Sequence, residues 1–210
     1  MRPRVAPRHR KGECPPAGGG FRAAAAMVVC AALLAAPPGS SSAQPEPPPL
    51  FEQEVKASFV YTVAKFVDWP EEAFGTPAAP MVFAILGDDL IGDALERLVE
   101  GKSVQGHPVT VVRAARLDDL AGCHVLFLGR SESPRLREIL RHVQGANILT
   151  VSESERFALS GGVMGLILDQ NMVRFEVNVD AASRSHLAIS SKILKLGKVI
   201  RDRKRAQGPP

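Results

Sequence analysis

MVFAILGDDLIGDALERLVEG, residues 81–101, decides the fold. Its first seven residues form an unbroken apolar run, the pattern of a strand covered on both faces. At Asp88 the period changes: Leu90 or Ile91, Ala94, Leu95 and Leu98 recur at helical spacing. Asp88 or Asp89 can cap this helix at its start and Gly101 can close it. A buried strand followed at once by an amphipathic helix is the unit of an α/β layer.

The same alternation continues outward. HPVTVVRA (107–114) is a β-branched strand and HVLFLG (124–129) a second buried one. Ser133-Pro134 opens a helix through about Gln144, with proline at the favoured first position. NILTVSES (147–154) returns as a strand. Upstream, nothing breaks a helix from Leu50 to Asp68, and Pro70 ends it at Trp69, the only tryptophan. Phe59, Thr62, Phe66 and Trp69 share one face of this helix. Val60, Ala64 and Val67 make a second apolar row, while Glu52 and Lys56 form an i,i+4 pair on the polar side. Downstream, VMGLILDQNMVRFEVNVD (163–180) turns at Asp169-Gln170-Asn171. Val173, Phe175, Val177 and Val179 then alternate with Arg174, Glu176, Asn178 and Asp180, a half-buried hairpin strand. A last helix is predicted over about 181–202, with Ile189, Ile193, Leu196 and Ile200 inward and Lys192, Lys195 and Lys198 as a basic stripe. The expectation is an α/β domain, a mixed β-sheet flanked by helices, with an N-terminal helix and a C-terminal β-hairpin followed by a helix.

Residues 23–36 (AAAAMVVCAALLAA) are apolar and uncharged, follow Arg2, Arg4, Arg8, Arg10, Lys11 and Arg22, and precede Ser41-Ser42-Ala43. That is the pattern of a secretory signal peptide cleaved near Ala43. The run falls short of the roughly 20 residues that span a bilayer. The expected organisation is a signal peptide over 1–43, a Pro-rich lead-in over 44–49, one domain over 50–202 and a basic tail over 203–210. Six of the 26 basic and one of the 22 acidic residues lie in the leader. The remainder, with 20 basic and 21 acidic residues, has a net charge of −1, so the basic balance of the whole chain is no sign of nucleic-acid binding. Cys14 and Cys30 leave with the leader, and Cys123 has no partner for an internal disulfide.

No catalytic constellation emerges. Cys123 and His124 are neighbours in a strand, so their side chains point to opposite faces. Cys123 reads as an apolar filler and His124 as a satisfied, partly buried histidine. His107, His124, His142 and His186 show no ligand spacing, and no metal or other cofactor is expected. Asp88 and Asp89 at a strand end resemble a phospho-receiver's acidic turn, but the middle strand ends Leu128-Gly129-Arg130 without the carboxylate such a site needs. Asp88 and Asp89 would also repel a phosphate. Ser160-Gly161-Gly162 lacks the strand-turn-helix setting of a serine nucleophile.

Several stretches together resemble the YfiR-like family of exported bacterial proteins: VKASFVYTVAKFVDWPEEAF (55–74), FAILGDDLIGDALERLVEGKSVQGHPVTV (83–111), LAGCHVLFLGRSE (120–132), ILTVSES (148–154) and GGVMGLILDQNMVRFEVNVDAASRSHLAISSKILKLGKVI (161–200). The resemblance implies a mixed α/β fold, a periplasmic location and no enzyme activity. It implies a regulator of cyclic-di-GMP signalling, and so of biofilm formation. Such a regulator represses an inner-membrane diguanylate cyclase by contact with the cyclase's periplasmic part, and an outer-membrane lipoprotein can sequester it. A homodimer is a further expected partner state. A paired-cysteine requirement of the family does not carry over to a chain whose exported part holds only Cys123. The alternative is a periplasmic small-ligand sensor module serving another membrane protein. Aromatic anchors dominate many interfaces. Phe66, Asp68 and Trp69 are therefore expected to border a contact face, with Arg174 and Asn178 as neighbours. Lys192 and Lys195 of the basic stripe offer a surface for an acidic partner.

Overall fold

The computed structural model describes residues 49–169 and 172–202, all within one compact unit. Helix α1 (Pro49–Ala64) leads into a two-residue strand, β1 (Val67–Asp68). Then come β2 (Met81–Leu86), α2 (Gly92–Val99), β3 (Ser103–Val104), β4 (His107–Ala114), β5 (Val125–Leu128), α3 (Leu136–His142) and β6 (Leu149–Ser152). The last third holds β7 (Met164–Asp169), β8 (Met172–Asn178), α4 (Val179–Arg184), β9 (Ala188–Ile189), α5 (Ser191–Leu194) and β10 (Lys198–Ile200). The expected leader and its cleavage site, the lead-in up to residue 48, the tail from 203 and the turn residues 170 and 171 lie outside the described residues.

Eight strands form one mixed sheet in the order β10-β8-β7-β6-β5-β2-β4-β3. β2 pairs in parallel with β4 and β5, and β6 with β5 and β7. The β7–β8 hairpin is antiparallel, with Leu166 opposite Phe175. The central strands are apolar along their length because both faces are covered. Phe83, Ile85, Val125 and Phe127 pack in one cluster with Ala57 and Val60 of α1 and Leu95 of α2. Ala84, Leu86, Leu126 and Leu128 pack on the other side with Leu136 and Ile139 of α3. Each fully buried Phe or Leu contributes about 1.5–3 kcal/mol. The α/β reading of residues 81–101 therefore holds.

Three expectations are corrected. First, α1 ends at Ala64, not at Trp69. Lys65 and Phe66 donate to Thr62 O and Val63 O in a tightening last turn, and Val67 then pairs with Ile189 across an antiparallel ribbon. The buried residues of α1 are Lys56, Ala57, Val60, Tyr61, Val63 and Ala64, whereas Thr62 of the expected Phe59–Trp69 row is exposed. Lys56 does pair with Glu52, but it lies in the interior, not on the polar side.

Second, the continuous helix over 181–202 does not exist. Asn178 caps α4 by accepting from Ala181 N, and the helix stops at Arg184. His186 takes a left-handed φ of 55°, Ser190 caps the four-residue α5, and Gly197 passes against the Phe175 ring. The chain finishes as β10, parallel to β8. Only α4 is the helix that follows the hairpin. Leu196, expected inside, is 77% exposed.

Third, β8 is half-buried only where it begins. Glu176 and Asn178 are buried: Lys198 of the neighbouring β10 reaches Glu176 at 2.7 Å, and Asn178 donates to Ala158 O in the segment after β6 and to Asp202 Oδ1. Two smaller features were not foreseen. β3 pairs with β4 around Gln105-Gly106, both at positive φ, as a tight two-residue hairpin requires. The expected 133–144 helix begins as a 3-10 segment over Arg130–Arg135 before α3.

Candidate functional site

The ribbon of β1 and β9 joins two segments that are 120 residues apart in sequence. Val67 and Asp68 pair with Ile189 and Ala188, and Ser190 N donates to Phe66 O at 2.9 Å. Ser190 is also the cap of α5, so Lys192 and Lys195 follow directly from the strand beside Asp68. Both lysines and Asp68 are exposed, while Phe66 is half-buried against the core. The ribbon thus sets Phe66 beside Ser190, from which Lys192 and Lys195 follow, and Asp68 opposite Ala188, while Trp69 leaves at the other end.

Trp69 leaves the ribbon half-buried. Its indole Nε1 donates to Asn147 O at 3.0 Å, across to the turn before β6. One side of the ring borders an open groove of about 640 Å3 with Glu71, Phe74, Thr76, Gln105 and His107. Gln105 Nε2 reaches back to Val67 O at 2.7 Å and ties the β3–β4 hairpin to the ribbon. Arg174 and Asn178 do not line this groove. Arg174 is exposed on β8. Asn178 is fully buried and works as a cap, donating to Ala158 O and to Asp202 Oδ1.

Behind the groove, Phe74 lies between two imidazoles. Its ring stacks on His107 at 3.7 Å and on His124 at 4.4 Å between centroids. His124 is buried with both nitrogens used: Nδ1 accepts from Val82 N at 3.1 Å and Nε2 donates to Ala73 O at 3.0 Å. Burial holds this imidazole below its ordinary value. The bond to Ala73 O works against that shift, and His107 adds to it. Cys123, on the opposite side, packs among Leu120, Leu126 and Ile148, and burial pushes its thiol up to about 12. Neither residue is set up to act on the other.

In open α/β sheets ligands favour the crevice at the carboxyl ends of the strands where the strand order reverses. Here that point lies between β2 and β5, and it is closed. Ser131 Oγ accepts from Asp88 N at 2.9 Å and donates to Asp88 Oδ1 at 3.0 Å. Asp89 Oδ1 accepts from Gly92 N at 2.6 Å, just ahead of α2, whose N-cap position is Ile91. A carboxylate stands where an anionic ligand would otherwise sit.

One strand further along, sequence reasoning missed a polar pocket. It measures about 610 Å3 and is bordered by Arg130, Ser133, Glu153, Arg156, Glu176 and Lys198, with Phe157, Leu166 and Ile167 as apolar walls. The Glu153 side chain is only 4% exposed and meets Lys56, at 7%. Arg130 Nη2 donates to the same Oε2 at 3.2 Å, and Glu153 Oε1 is buried with no partner among the described residues. A signal was present in the sequence: Lys56 stands one turn before Val60 and two before Ala64 of α1, an apolar row in which a lysine needs a buried anion.

No described helix is long and apolar enough to cross a membrane. Among solved structures the chain is similar to the ABC domain in complex with L-Trp from Streptococcus pneumonia, at 10% identity and a TM-score of 0.47. It is also similar to a conserved domain protein from Vibrio cholerae, at 9% identity and a TM-score of 0.45. The matches cover 70% of this chain in each case, and the chain spans 60% and 59% of the lengths of those two. The model of the family described as YfiR/HmsC-like matches residues 53–198, from the second turn of α1 to the first residue of β10. This chain therefore belongs to the YfiR/HmsC-like family.

Proposed function

We propose that this protein represses a transmembrane diguanylate cyclase by docking on the cyclase's periplasmic part. The observation that carries the reading is the family match over residues 53–198. The ribbon neighbourhood supplies a chemically suitable surface: an aromatic edge at Trp69, a half-buried Phe66, and charges of both signs at Asp68, Lys192 and Lys195. The repressor needs no chemistry. It binds the sensor part in the inactive arrangement and shifts the receptor's population. Moving a receptor from nearly all active to nearly all inactive takes about a 10,000-fold preference for the inactive form.

Binding of the exported protein to the periplasmic part of a transmembrane diguanylate cyclase from the same cell, measured by calorimetry, tests this reading. Trp69→Ala is expected to weaken binding at least tenfold while the fold is retained. Lys192→Glu with Lys195→Glu is expected to weaken it further at low salt. Unchanged affinity in folded variants removes this surface. Sequestration by an outer-membrane lipoprotein and self-association extend the same reading, and pull-down and sedimentation measure them.

A second reading, a small-ligand sensor module, is favoured by the Glu153 pocket. Its unpartnered Oε1 needs a hydrogen-bond donor from a ligand, and Arg156 borders the same pocket. Native mass spectrometry of protein taken from the periplasm decides between the two: a bound small molecule lost in Glu153→Gln supports the sensor.

A further inference from the structure

The last stretch of the chain is where its positive charge gathers. From Lys192 to Arg205, seven basic residues stand against Asp202 alone, a net charge of +6. The rest of the chain from Gln44 onward, with 13 basic and 20 acidic residues, carries −7. A protein close to neutral as a whole is thus sharply divided in charge, and such a division steers one end towards an anionic partner.

The fold turns part of this charge outward. Beyond α5 the helical turn continues: Leu196 N and Gly197 N both donate to Ile193 O, at 3.0 and 3.2 Å. Ile193 is buried and Gly197 lies against the Phe175 ring, so that side of the turn faces the core. Lys192, Lys195 and Leu196 fall at i, i+3 and i+4, share the other side, and are all exposed. Lys198 and Arg201 lie against Glu176 at 2.7 Å and Asp180 at 3.9 Å. The ammonium groups of Lys192 and Lys195 have no such partner among the described residues. Leu196 is 77% exposed, more than any other large apolar side chain described, and Val199 beyond it is exposed too.

We propose that this patch seats the protein on an anionic phospholipid bilayer. Lys192, Lys195 and the run Arg203, Lys204 and Arg205 meet the phosphate headgroups, and Leu196 enters the interfacial layer beside them.

An acidic protein face would match the charge; the protruding leucine is what favours lipid. At a bilayer surface the apolar group sinks while the long amines stay at headgroup level. Neither signal is sufficient alone, because one aliphatic side chain buries little area and a basic run is screened by salt. Together they give reversible seating. A protein held on the surface meets a membrane-anchored partner at a raised effective concentration. The inference goes beyond the cyclase reading and does not depend on it, since Leu196, Arg203, Lys204 and Arg205 are not part of that contact surface.

Sedimentation of the exported protein with vesicles tests the seat, one set of phosphatidylcholine alone and one with about a third phosphatidylglycerol. Binding to the anionic set is expected to be at least tenfold tighter in low salt. It should fall steeply towards about 1 M salt, where the Debye length is roughly 3 Å. Arg203→Gln, Lys204→Gln and Arg205→Gln combined should remove most of the preference for the anionic set. Leu196→Ser should weaken binding severalfold at every salt concentration, with native far-UV dichroism. If Leu196→Ser fails to fold, the combined glutamine variant, altered beyond β10, carries the test. Equal binding to the two sets, binding to neither, or a full preference retained in the glutamine variant overturns the seat. No vesicle binding, with affinity for the cyclase's periplasmic part lost in the glutamine variant, assigns the patch to an acidic protein instead. Intact vesicle binding without affinity for the cyclase removes the cyclase reading and leaves the seat standing.

Discussion

Lys56 shows how a charge can be carried into a core. Its ammonium meets Glu52 at 2.6 Å on the same helix and Glu153 from the sheet, with Arg130 behind. Breaking a buried pair leaves an uncompensated ion. Lys56→Met should therefore cost about 3–5 kcal/mol in urea denaturation, whereas Lys56→Met with Glu153→Leu should recover most of it. Arg130 tolerates the double change because its side chain is 62% exposed. At His124 the sign is fixed by a depressed folded value. The unfolded chain takes the proton more readily below about pH 6.5, so stability is full above that range and falls as the pH drops through it. The urea midpoint should decline between pH 7 and 5, and less so in His124→Gln. With its thiol near 12, Cys123 should resist a disulfide reagent at pH 8 in the native protein and react only on unfolding.

Elements were legible wherever their pattern came from burial in the sheet. β4 falls on the predicted 107–114, and β2 and β5 differ from expectation only at their ends. The last helix failed for a reason visible in particular residues. Ile189, Ile193, Leu196 and Ile200 do lie at helical spacing, but three punctuation points outweigh weak periodicity: His186 in the left-handed region, Ser190 as a cap and Gly197 against an aromatic ring. A methyl group on Gly197 would enter the Phe175 ring, which is already packed on Phe59. Gly197→Ala should thus lower stability by about 1–3 kcal/mol and loosen β10 from β8, seen as faster amide exchange at 198–200. A like replacement at the open Gly122 space would report only its backbone preference.

At the scale of the molecule, the sheet is assembled from two kinds of pairing. β2, β4, β5 and β6 form a parallel core built from successive β-α units, and the hairpin with β10 extends it at one side. β10 is that side's edge, and Lys198 shields it by pairing with the buried Glu176 at 2.7 Å. The candidate contact face lies on the small β1–β9 ribbon, a sheet separate from the one that β10 edges. Export belongs to this scale too. N-terminal sequencing of the chain recovered from the periplasm is expected to begin at Gln44, and a product that retains residues 1–43 would refute cleavage at that site.

The sequence by itself determined the α/β class, the hairpin and the family, because a strand buried on both faces and an amphipathic helix each leave a local period. Only the tertiary structure decided where α1 stops, that residues 181–202 split into short pieces, and that Lys56 meets Glu153. Those outcomes depend on partners far away in the chain: Ile189 for Val67, Phe175 for Gly197, and a carboxylate almost a hundred residues on for a single lysine. No local period encodes such meetings, since each is settled by which surfaces the finished sheet leaves to be covered.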